Sequence, residues 1–446
     1  MENQDKTNFN VVLEKAMKGD SEAQCDLGIL FSKGKGVEAD EYKAFEWFKK
    51  SAEQGNARGQ FQLGWCYEME YGVAEDYEKA IEWYEKSANQ GFSEAEYQLG
   101  MAYRRGEIVD TDEEKAFAYF LKAGEHGNAK AQDKLAFYYY EGEVVDKDIE
   151  KAIYWWKTAA EQGYATAQYN LAFSYKEGDG VPQDYKTAAK WYKMAGRQGY
   201  GDAWWQLAKM KEKGQLDEPI LNKESGKVGD YAYVDLGLSV MWATCNVGAN
   251  EPQELGDYYA WGETKTKEEY SKKTFVASIE KYADCTKKNQ RNLFPKDDAA
   301  TVNMGNDWRM ATAEEMQELI DGCYWYVDSN YKGSGVAGYV GVSKKNENTI
   351  FFPAAGANED SMGEWGINEC LYSWSSSPVC KDSDAQIVTD PLDNHKKVPN
   401  MFNVYYLFFD EEGIELSNGE PVRGTVIRAV VKKDISIPKP TAKKPF

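Results

Sequence analysis

Hydrophobic and small residues return at a fixed interval through the first half of this chain. Glycine, leucine and aspartate each form a column whose members lie 36 residues apart. The columns are Gly19, Gly55, Gly91, Gly127, Gly163 and Gly199; Leu27, Leu63, Leu99, Leu135, Leu171 and Leu207; and Asp40, Asp76, Asp112, Asp148 and Asp184. Such self-similarity is typical of a solenoid of stacked units. It predicts five full units over residues 19–198, with half-units at both ends.

Each unit has the pattern of two amphipathic helices. Ala23, Leu27 and Phe31 share one face of the first helix, and the residue after the leucine is always Gly or Ala, which lets a neighbouring helix approach. The Asp column is suited to cap the second helix, because a carboxylate accepts hydrogen bonds from the orphan backbone N–H groups there. The next glycine is expected to end that helix as a C′ residue.

Tryptophan recurs in the second helix of most units. Trp47, Trp83, Trp155 and Trp191 occupy one column, with Tyr119 in the third unit. These rings could line a ligand site or fill the core between stacked helices. A ligand site need not recur in every unit, whereas a core must, so the repetition favours packing.

The full signature, AEQGNAxxQ…LG…Y…G…D…KAxxWY, resembles the Sel-1-like repeat, a relative of the tetratricopeptide family, over residues 19–215. Residues 1–18 then form a capping helix. The resemblance implies a right-handed superhelix whose inner surface docks a protein or peptide. A polar column could line that surface or could simply be solvated; its members are Asp26, Gln62, Gln98, Lys134 and Asn170.

The second half of the chain has a different pattern. Residues 216–230 lose the helical period and contain Pro and Gly, which predicts a linker. Short β-branched and aromatic runs follow, such as TIFFPAAG, NVYYLFF and TVIRAVV, and they predict strands. One helix is expected in WRMATAEEMQELIDGC, where Thr312 and Glu315 form a capping box. We therefore predict a compact α+β domain over residues 231–432 and a disordered tail over 433–446.

Several strings in this half point to a second family: GLSVMWATCNVGA, GDYYAWGE, DDAATVNMGNDWRMATAEEMQEL, IFFPAAG and YSWSSS. They resemble the Fibrobacter-type major paralogous domain of gut Bacteroidetes. That family is similar to the C-type-lectin-like fold of formylglycine-generating enzymes and of variable proteins of diversity-generating retroelements. One departure is Ala311, where the family usually has proline before the helix. The predicted architecture is thus an all-α helical-hairpin solenoid followed by an α+β C-type-lectin-like domain.

The C-terminal half lacks the residues that would make a strong case for chemistry. Formylglycine-generating enzymes hold copper with a close cysteine pair, and Cys370 and Cys380 are spaced too widely for that motif. Two tripeptides partly resemble the calcium-binding motifs of lectins but differ from them in residue type or order: Glu251-Pro252-Gln253 and Asn306-Asp307-Trp308. No catalytic residue, metal or cofactor is predicted.

Binding through loops is the remaining expectation for this domain. Residues 358–370 and 381–400 are polar stretches on either side of YSWSSS, and long loops on a rigid scaffold often carry recognition. The alternative is plain surface loop. The candidate ligand-binding residues are Trp365, Asn368, Glu369, Asp382, Asp384, Asn394 and His395.

Charge narrows the range of partners. The net charge is −21, and it divides evenly: 28 basic and 38 acidic residues up to residue 215 give −10, and the remaining 25 and 36 give −11. Neither half offers an overall basic surface, so nucleic acid and anionic membranes are not expected partners. The N-terminal residues contain no apolar signal segment, and the seven cysteines contain no C-x-x-C motif, so a cytoplasmic location with reduced thiols is expected.

Three functions are compatible with these patterns. The first is a non-enzymatic interaction scaffold in which the solenoid docks a protein and the lectin-like domain presents a binding surface. The second is the variable binding protein of a diversity-generating retroelement. The third is a copper-dependent oxidase of the formylglycine-generating type.

Overall fold

The computed structural model describes residues 2–106, 109–216, 225–259, 264–266, 293, 298–359, 363–367, 371–378, 387–390, 393–399, 404–410, 413–419 and 425–432. The chain divides into two compact units, Met1–Ala195 and Gly196–Phe446. The first is helical and the second is rich in strands.

The first unit is a stack of helical hairpins. Its helices are α1 (Glu2–Met17), α2 (Ser21–Lys33), α3 (Glu41–Glu53), α4 (Ala57–Glu68), α5 (Tyr77–Ala88), α6 (Ser93–Arg105), α7 (Glu113–Glu125), α8 (Ala129–Glu141), α9 (Ile149–Glu161), α10 (Ala165–Glu177) and α11 (Tyr185–Gly196). The first helices of the five repeats are the even-numbered α2 to α10, and the second helices are the odd-numbered α3 to α11. Helix α1 packs on α2, where the Phe9 and Phe31 rings meet edge to face at 5.6 Å.

The helix ends are fixed by the residues that the sequence pattern singled out. The side chains of Asp40, Asp76, Asp112 and Asp148 each accept a hydrogen bond from the backbone N–H three residues later, at 2.9–3.0 Å. The glycines that follow the second helices, such as Gly55 with φ 85°, adopt the left-handed conformation. Glycine reaches that conformation without the steric cost of a Cβ atom, so both predicted helix boundaries are confirmed.

The core of the stack is made of the leucine column and the rings that face it. Leu27, Leu63, Leu99, Leu135 and Leu171 are all buried. Gly64 shows why the adjacent position is small: a Cβ there would lie 2.8 Å from Cδ1 of Tyr84 and 3.1 Å from the Ala80 carbonyl oxygen. Burial of each leucine contributes roughly 1.5–3 kcal/mol.

A buried row of side-chain amides joins the hairpins. Gln60 in α4 donates from Nε2 to the Ala52 carbonyl oxygen at 3.4 Å and accepts from Gln90 Nε2 at 2.8 Å. Gln24 and Gln132 make the same two contacts in their own units. In the third unit the pair is Glu96 and His126, with Nδ1 of the histidine 2.8 Å from Oε2 of the buried glutamate. The same hydrogen-bonding position is therefore occupied by a pair of amides in some repeats and by a carboxylate and an imidazole in the third.

The recurring tryptophans belong to the interior of the stack. Trp47, Trp83, Trp155 and Trp191 are each half-buried and pack against the apolar core clusters. Their outer faces are partly covered by lysines, with Lys50 Nζ 4.2 Å from the Trp47 ring centroid and Lys86 Nζ 3.8 Å from that of Trp83. This agrees with packing, because rings that line an open pocket would be more exposed.

The second unit combines three helices with fifteen strands in its described part. The helices are α12 (Gly201–Glu212), α13 (Ala299–Met304) and α14 (Ala313–Gly322). The strands are β1 (Ser225–Val228), β2 (Tyr231–Val234), β3 (Val240–Asn246), β4 (Trp308–Met310), β5 (Cys323–Asp328), β6 (Gly338–Ser343), β7 (Thr349–Pro353), β8 (Ala355–Glu359), β9 (Gly363–Ile367), β10 (Leu371–Pro378), β11 (Ile387–Asp390), β12 (Asp393–Pro399), β13 (Val404–Asp410), β14 (Gly413–Gly419) and β15 (Arg428–Lys432).

These strands form four sheets. Two are five-stranded, with orders β1-β2-β3-β15-β4 and β14-β13-β10-β8-β9. One is three-stranded, β5-β6-β7, and one is the hairpin β11-β12. Most pairs are antiparallel, and β8 with β10 is a parallel pair. The sheets therefore depend on pairings between strands that lie far apart in the sequence, such as β3 with β15.

The core of the second unit is aromatic and also holds one buried cation. Trp242 and Trp308 are fully buried. Arg428 is also fully buried, and it donates to Asn246 Oδ1 at 2.9 Å and to the Phe351 carbonyl oxygen at 2.7 Å. Its guanidinium lies 4.5 Å from the centroid of the Phe352 ring. Burial of this guanidinium lowers the pKa of Arg428 to about 10.

The structure differs from the sequence expectation at three points. Residues 225–228 of the predicted linker form β1, which pairs with β2. A second helix, α13, precedes α14. Asp298 stabilises its first turn by accepting a hydrogen bond from the Thr301 N–H at 2.9 Å. Six residues are too few to show a helical period, so the sequence pattern did not reveal this helix. The division at residue 196 places α12 in the second unit, although its sequence continues the repeat to 215.

Helix α12 is held there by contacts to β5. The ring of Trp204 stacks on that of Tyr324 at 5.8 Å, and Gly201 approaches the Trp325 carbonyl oxygen closely enough that a Cβ would lie 2.9 Å from it. The leucine column continues into α12, where Leu207 is buried.

The capping box of α14 forms as predicted, with Thr312 and Glu315 bonding reciprocally.

Candidate binding face of the helical repeats

The predicted polar column lies on the first helices of the repeats. Asp26, Gln62, Gln98, Lys134 and Asn170 sit on α2, α4, α6, α8 and α10, and each is half-buried. We use the term first-helix face for the surface formed by the solvent-accessible sides of these five helices. A column of side chains at equivalent positions on parallel, stacked helices is the kind of surface along which a partner could lie.

An apolar column runs beside the polar one. Three residues further along each helix are Ile29, Trp65, Met101, Phe137 and Phe173, which by helical spacing lie on the same side as the polar column. Phe137 and Phe173 are 38% and 39% exposed, which is high for phenylalanine in a packed helical stack. Sequence reasoning missed this column, because a hydrophobic position in an amphipathic helix is usually read as core.

Two members of the polar column already have partners within the stack. Oδ1 of Asp26 accepts a 2.7 Å hydrogen bond from Arg58 Nη1 on the next first helix, and that arginine also pairs with Glu22. Nδ2 of Asn170 donates to Asp133 Oδ1 at 3.3 Å. These contacts tie neighbouring first helices together, so part of the column has a structural role.

A buried carboxylate stands beneath the middle of this face. Asp133 is 2% exposed and occupies a position that other repeats fill with Cys25, Phe61, Tyr97 and Tyr169. Burial raises its pKa to about 6, while Lys134 and then the Asn170 and Trp156 side chains act in the opposite direction. This departure from the repeat columns was visible in the sequence and is the signal by which Asp133 could have been found.

The second helix offers a polar group at the same level. Trp156 is the tryptophan in a column otherwise filled by Phe48, Tyr84, Phe120 and Tyr192. Its indole N–H is buried and lies close enough to the Asp133 carboxyl to lower the pKa of that group, although it makes no hydrogen bond of good geometry among the described residues. The repeat that carries an acid in its first helix thus also carries an N–H donor in its second.

Two tyrosines and several cations surround this region. Burial raises the pKa of Tyr97, the Tyr164 hydroxyl and Asp133 add to the rise, and Arg105 and Arg104 oppose it. Lys130 Nζ lies 6.0 Å from the Tyr97 ring centroid. The face between α6 and α8 therefore brings phenol groups and cations together in a chain whose overall charge is strongly negative.

The predicted ligand-binding residues of the C-terminal half lie either outside the described residues or on strands. Asn368, Glu369, Asp382 and Asp384 lie outside the described residues, as do Cys370, Cys380 and the predicted tail 433–446. Trp365 lies on β9, and Asn394 and His395 lie on β12. The second predicted loop therefore contains the β11-β12 hairpin, in which Ile387 pairs with Pro399. Strands held by backbone pairing need no side-chain period, and for this reason the sequence pattern predicted a loop over these residues.

No helix in the described part of the chain has the length and apolar content needed to cross a membrane. A comparison with curated proteins gives no match.

Comparison with protein families and solved structures identifies the helical repeats. The Sel1 repeat matches at residues 21–56, 57–92, 93–128, 129–164 and 165–200. A Sel1 repeat protein from Oxalobacter formigenes is 32% identical, with 45% of this chain covering 81% of that one and a TM-score of 0.43.

Two further solved structures are similar to the repeat region of this chain. A protective antigen of uropathogenic Escherichia coli with an SLR fold is 32% identical over 47% of this chain and 45% of its own length, with a TM-score of 0.42. An immunity protein from Pseudomonas aeruginosa is 23% identical over 42% of this chain and 68% of its own, with a TM-score of 0.31. The five tandem matches and the identity to the Oxalobacter protein show that this chain belongs to the Sel1 repeat family.

Proposed function

We propose that this protein is an interaction scaffold whose first-helix face docks a segment of a partner protein. Sel1 repeat proteins are generally protein-interaction scaffolds, and the repeats here are complete. The observation that carries the proposal is the pair of columns on the first-helix face, one polar and one apolar, repeated at each first helix. An extended segment laid across the stack would meet equivalent contacts at each step.

The exposed phenylalanines supply the binding energy in this proposal. Phe137 and Phe173 lie at equivalent positions of α8 and α10 and are each more than a third exposed. Covering such rings contributes roughly 25 cal/mol per Å² of apolar surface, and aromatic side chains dominate many interfaces. The neighbouring amides and hydroxyls, such as Gln98 and Tyr97, can donate and accept hydrogen bonds with a partner backbone.

Site-specific photo-crosslinking tests this function in the full-length protein. A photoreactive phenylalanine analogue is placed at Phe137 or Phe173, and in the control at Tyr154, which lies on the second helix α9 and is 61% exposed. We expect a discrete crosslinked partner from the two first-helix positions and none from Tyr154, although Tyr154 is more accessible. Equal crosslinking at all three positions, or none at the two phenylalanines, would contradict the proposal.

For the C-terminal unit we propose a second binding module of C-type-lectin-like fold without catalytic function. The support is the resemblance of its sequence strings together with its mixed content of antiparallel sheets and few helices. The predicted loop residues Trp365, Asn368 and His395 are part of this proposal. Metal analysis of the purified protein tests the copper-oxidase alternative, since stoichiometric copper that is lost in Cys370→Ser and Cys380→Ser variants would favour the enzyme. A near-identical template repeat beside a reverse-transcriptase gene would favour the retroelement alternative.

A further inference from the structure

Several cations on the solenoid form ion pairs with acids of the same stack. Lys43, Lys79, Lys115 and Lys151 each pair with the aspartate that caps their own helix, at 2.7–3.2 Å. Arg58 pairs with Glu22 and Asp26. These five cations are thereby neutralised locally.

Four cations in the middle of the first-helix face lack such a partner among the described residues. Arg104, Arg105, Lys130 and Lys134 belong to α6 and α8, and within the described part of the chain none has a carboxylate oxygen within 4.0 Å. We call these four residues the basic patch. Asp133, the acid between Lys130 and Lys134 in the sequence, is buried and does not belong to the exposed surface.

The basic patch surrounds apolar side chains of the same face. Lys130, Lys134 and Phe137 fall at i, i+4 and i+7 of α8, and Met101 and Arg105 fall at i and i+4 of α6. On two adjacent repeats, cations therefore lie beside the exposed Phe137 and the half-buried Met101. A ligand that matches this surface must combine negative charge with apolar side chains.

We infer that the basic patch docks an acidic segment of a partner protein in which carboxylate and apolar side chains alternate. This inference rests on the proposed function and specifies the chemistry of the partner. A nucleic acid fits less well, because its continuous charge would be repelled by a chain of net charge −21 beyond the patch, whereas a short peptide gains apolar contacts at close range. Unpaired surface cations also speed the approach of such a segment more than they raise its final affinity.

Fluorescence anisotropy with the full-length protein tests this inference. The probe is a labelled synthetic peptide that alternates Glu and Leu and is long enough to span two repeats, and the matched probe has Gln at every Glu position. We expect the Glu peptide to bind at least tenfold more tightly, and its advantage should shrink as salt rises from about 0.1 M to about 1 M, where the Debye length falls from ~10 to ~3 Å. Equal binding of the two peptides would overturn the inference.

Charge-reversal variants locate the effect. Arg105→Glu with Lys130→Glu reverses two exposed members of the basic patch, and Lys157→Glu with Lys190→Glu makes the same net change on the second helices α9 and α11. The first pair should weaken binding of the Glu peptide at least tenfold, and the control pair less than threefold. Equal losses would mean that net charge alone is sensed, which overturns the inference.

A thymidine oligonucleotide serves as the competing polyanion. If it binds at least as tightly as the Glu peptide, the patch is a general polyanion site and the inference is wrong. Crosslinking at Phe137 and Phe173 can succeed in each of these cases, so failure of the acidic-segment inference is distinguishable from failure of the docking face. Matching thermal unfolding midpoints for both double variants confirm that each has folded.

Discussion

The Glu96–His126 pair permits a direct test of how the repeats are joined. In the four other units the same two positions hold a pair of glutamines, and in three of those units the donor–acceptor distances are 2.6, 2.8 and 2.7 Å. His126→Ala removes the donor to a carboxylate that is 2% exposed. Leaving a buried charged acceptor unsatisfied costs more than leaving a neutral one, so we expect a loss of about 2 kcal/mol, against about 1 kcal/mol for Gln162→Ala in the next unit.

The reverse substitution completes the test. Glu96→Gln combined with His126→Gln rebuilds the amide pair of the other units, and we expect its free energy of unfolding to lie within about 0.5 kcal/mol of the parent. Each of the two single Gln variants keeps one donor and one acceptor and should cost under about 1 kcal/mol. The assay is urea unfolding at neutral pH, followed by far-UV circular dichroism, which reports mainly the helices.

Two results would refute this reasoning. If His126→Ala costs no more than Gln162→Ala, the buried carboxylate does not depend on the histidine. If the double Gln variant is much less stable than the parent, the two chemistries are not equivalent at this position, and the repeat columns do not report a shared hydrogen-bonding role.

Three further predictions concern stability. Burial raises the pKa of Asp133 to about 6 in the folded chain, against ~3.9 when unfolded, so the free energy of unfolding falls as pH rises from ~4 to ~6. Asp133→Asn should therefore be more stable than the parent at pH ~7, by up to ~3 kcal/mol. In urea titrations this difference should disappear near pH ~4. Gly64→Val should cost about 2–3 kcal/mol by the same assay, because its side chain would meet the Tyr84 ring and the Ala80 carbonyl, and a cost below that of Gly64→Ala would contradict the close packing. Trp204→Ala should destabilise the second unit by about 3 kcal/mol and expose it to limited proteolysis. Trp204→Phe keeps an aromatic ring against Tyr324 and gives up an indole N–H that has no acceptor among the described residues, so it should resist the protease much better than Trp204→Ala.

The helical half of the fold could be predicted closely because its information is local and repeated. The Asp column fixed the starts of the second helices, and the glycine column fixed their ends, since each acts on a backbone within a few residues of itself. The tryptophan column was correctly assigned to packing. A pattern that recurs five times averages out the ambiguity that a single apolar position carries.

The sequence indicated only part of the proposed binding face. The polar column was found, but Phe137 and Phe173 were not, because the sequence does not show which side of an apolar stripe the neighbouring helices leave uncovered. Asp133 and Trp156 were overlooked for a different reason: each departs from its own column, and their significance depends on the fact that they face each other across a hairpin.

The sequence by itself determined the repeat, its helix boundaries, the N-caps and the capping box at Thr312, since these rest on interactions within a few residues. Only the tertiary structure decided that α12 packs on β5, that β3 pairs with β15, and that four cations on α6 and α8 lie without described acidic partners. The physical reason is that burial and charge pairing depend on which distant segments meet, and a local pattern does not encode that meeting.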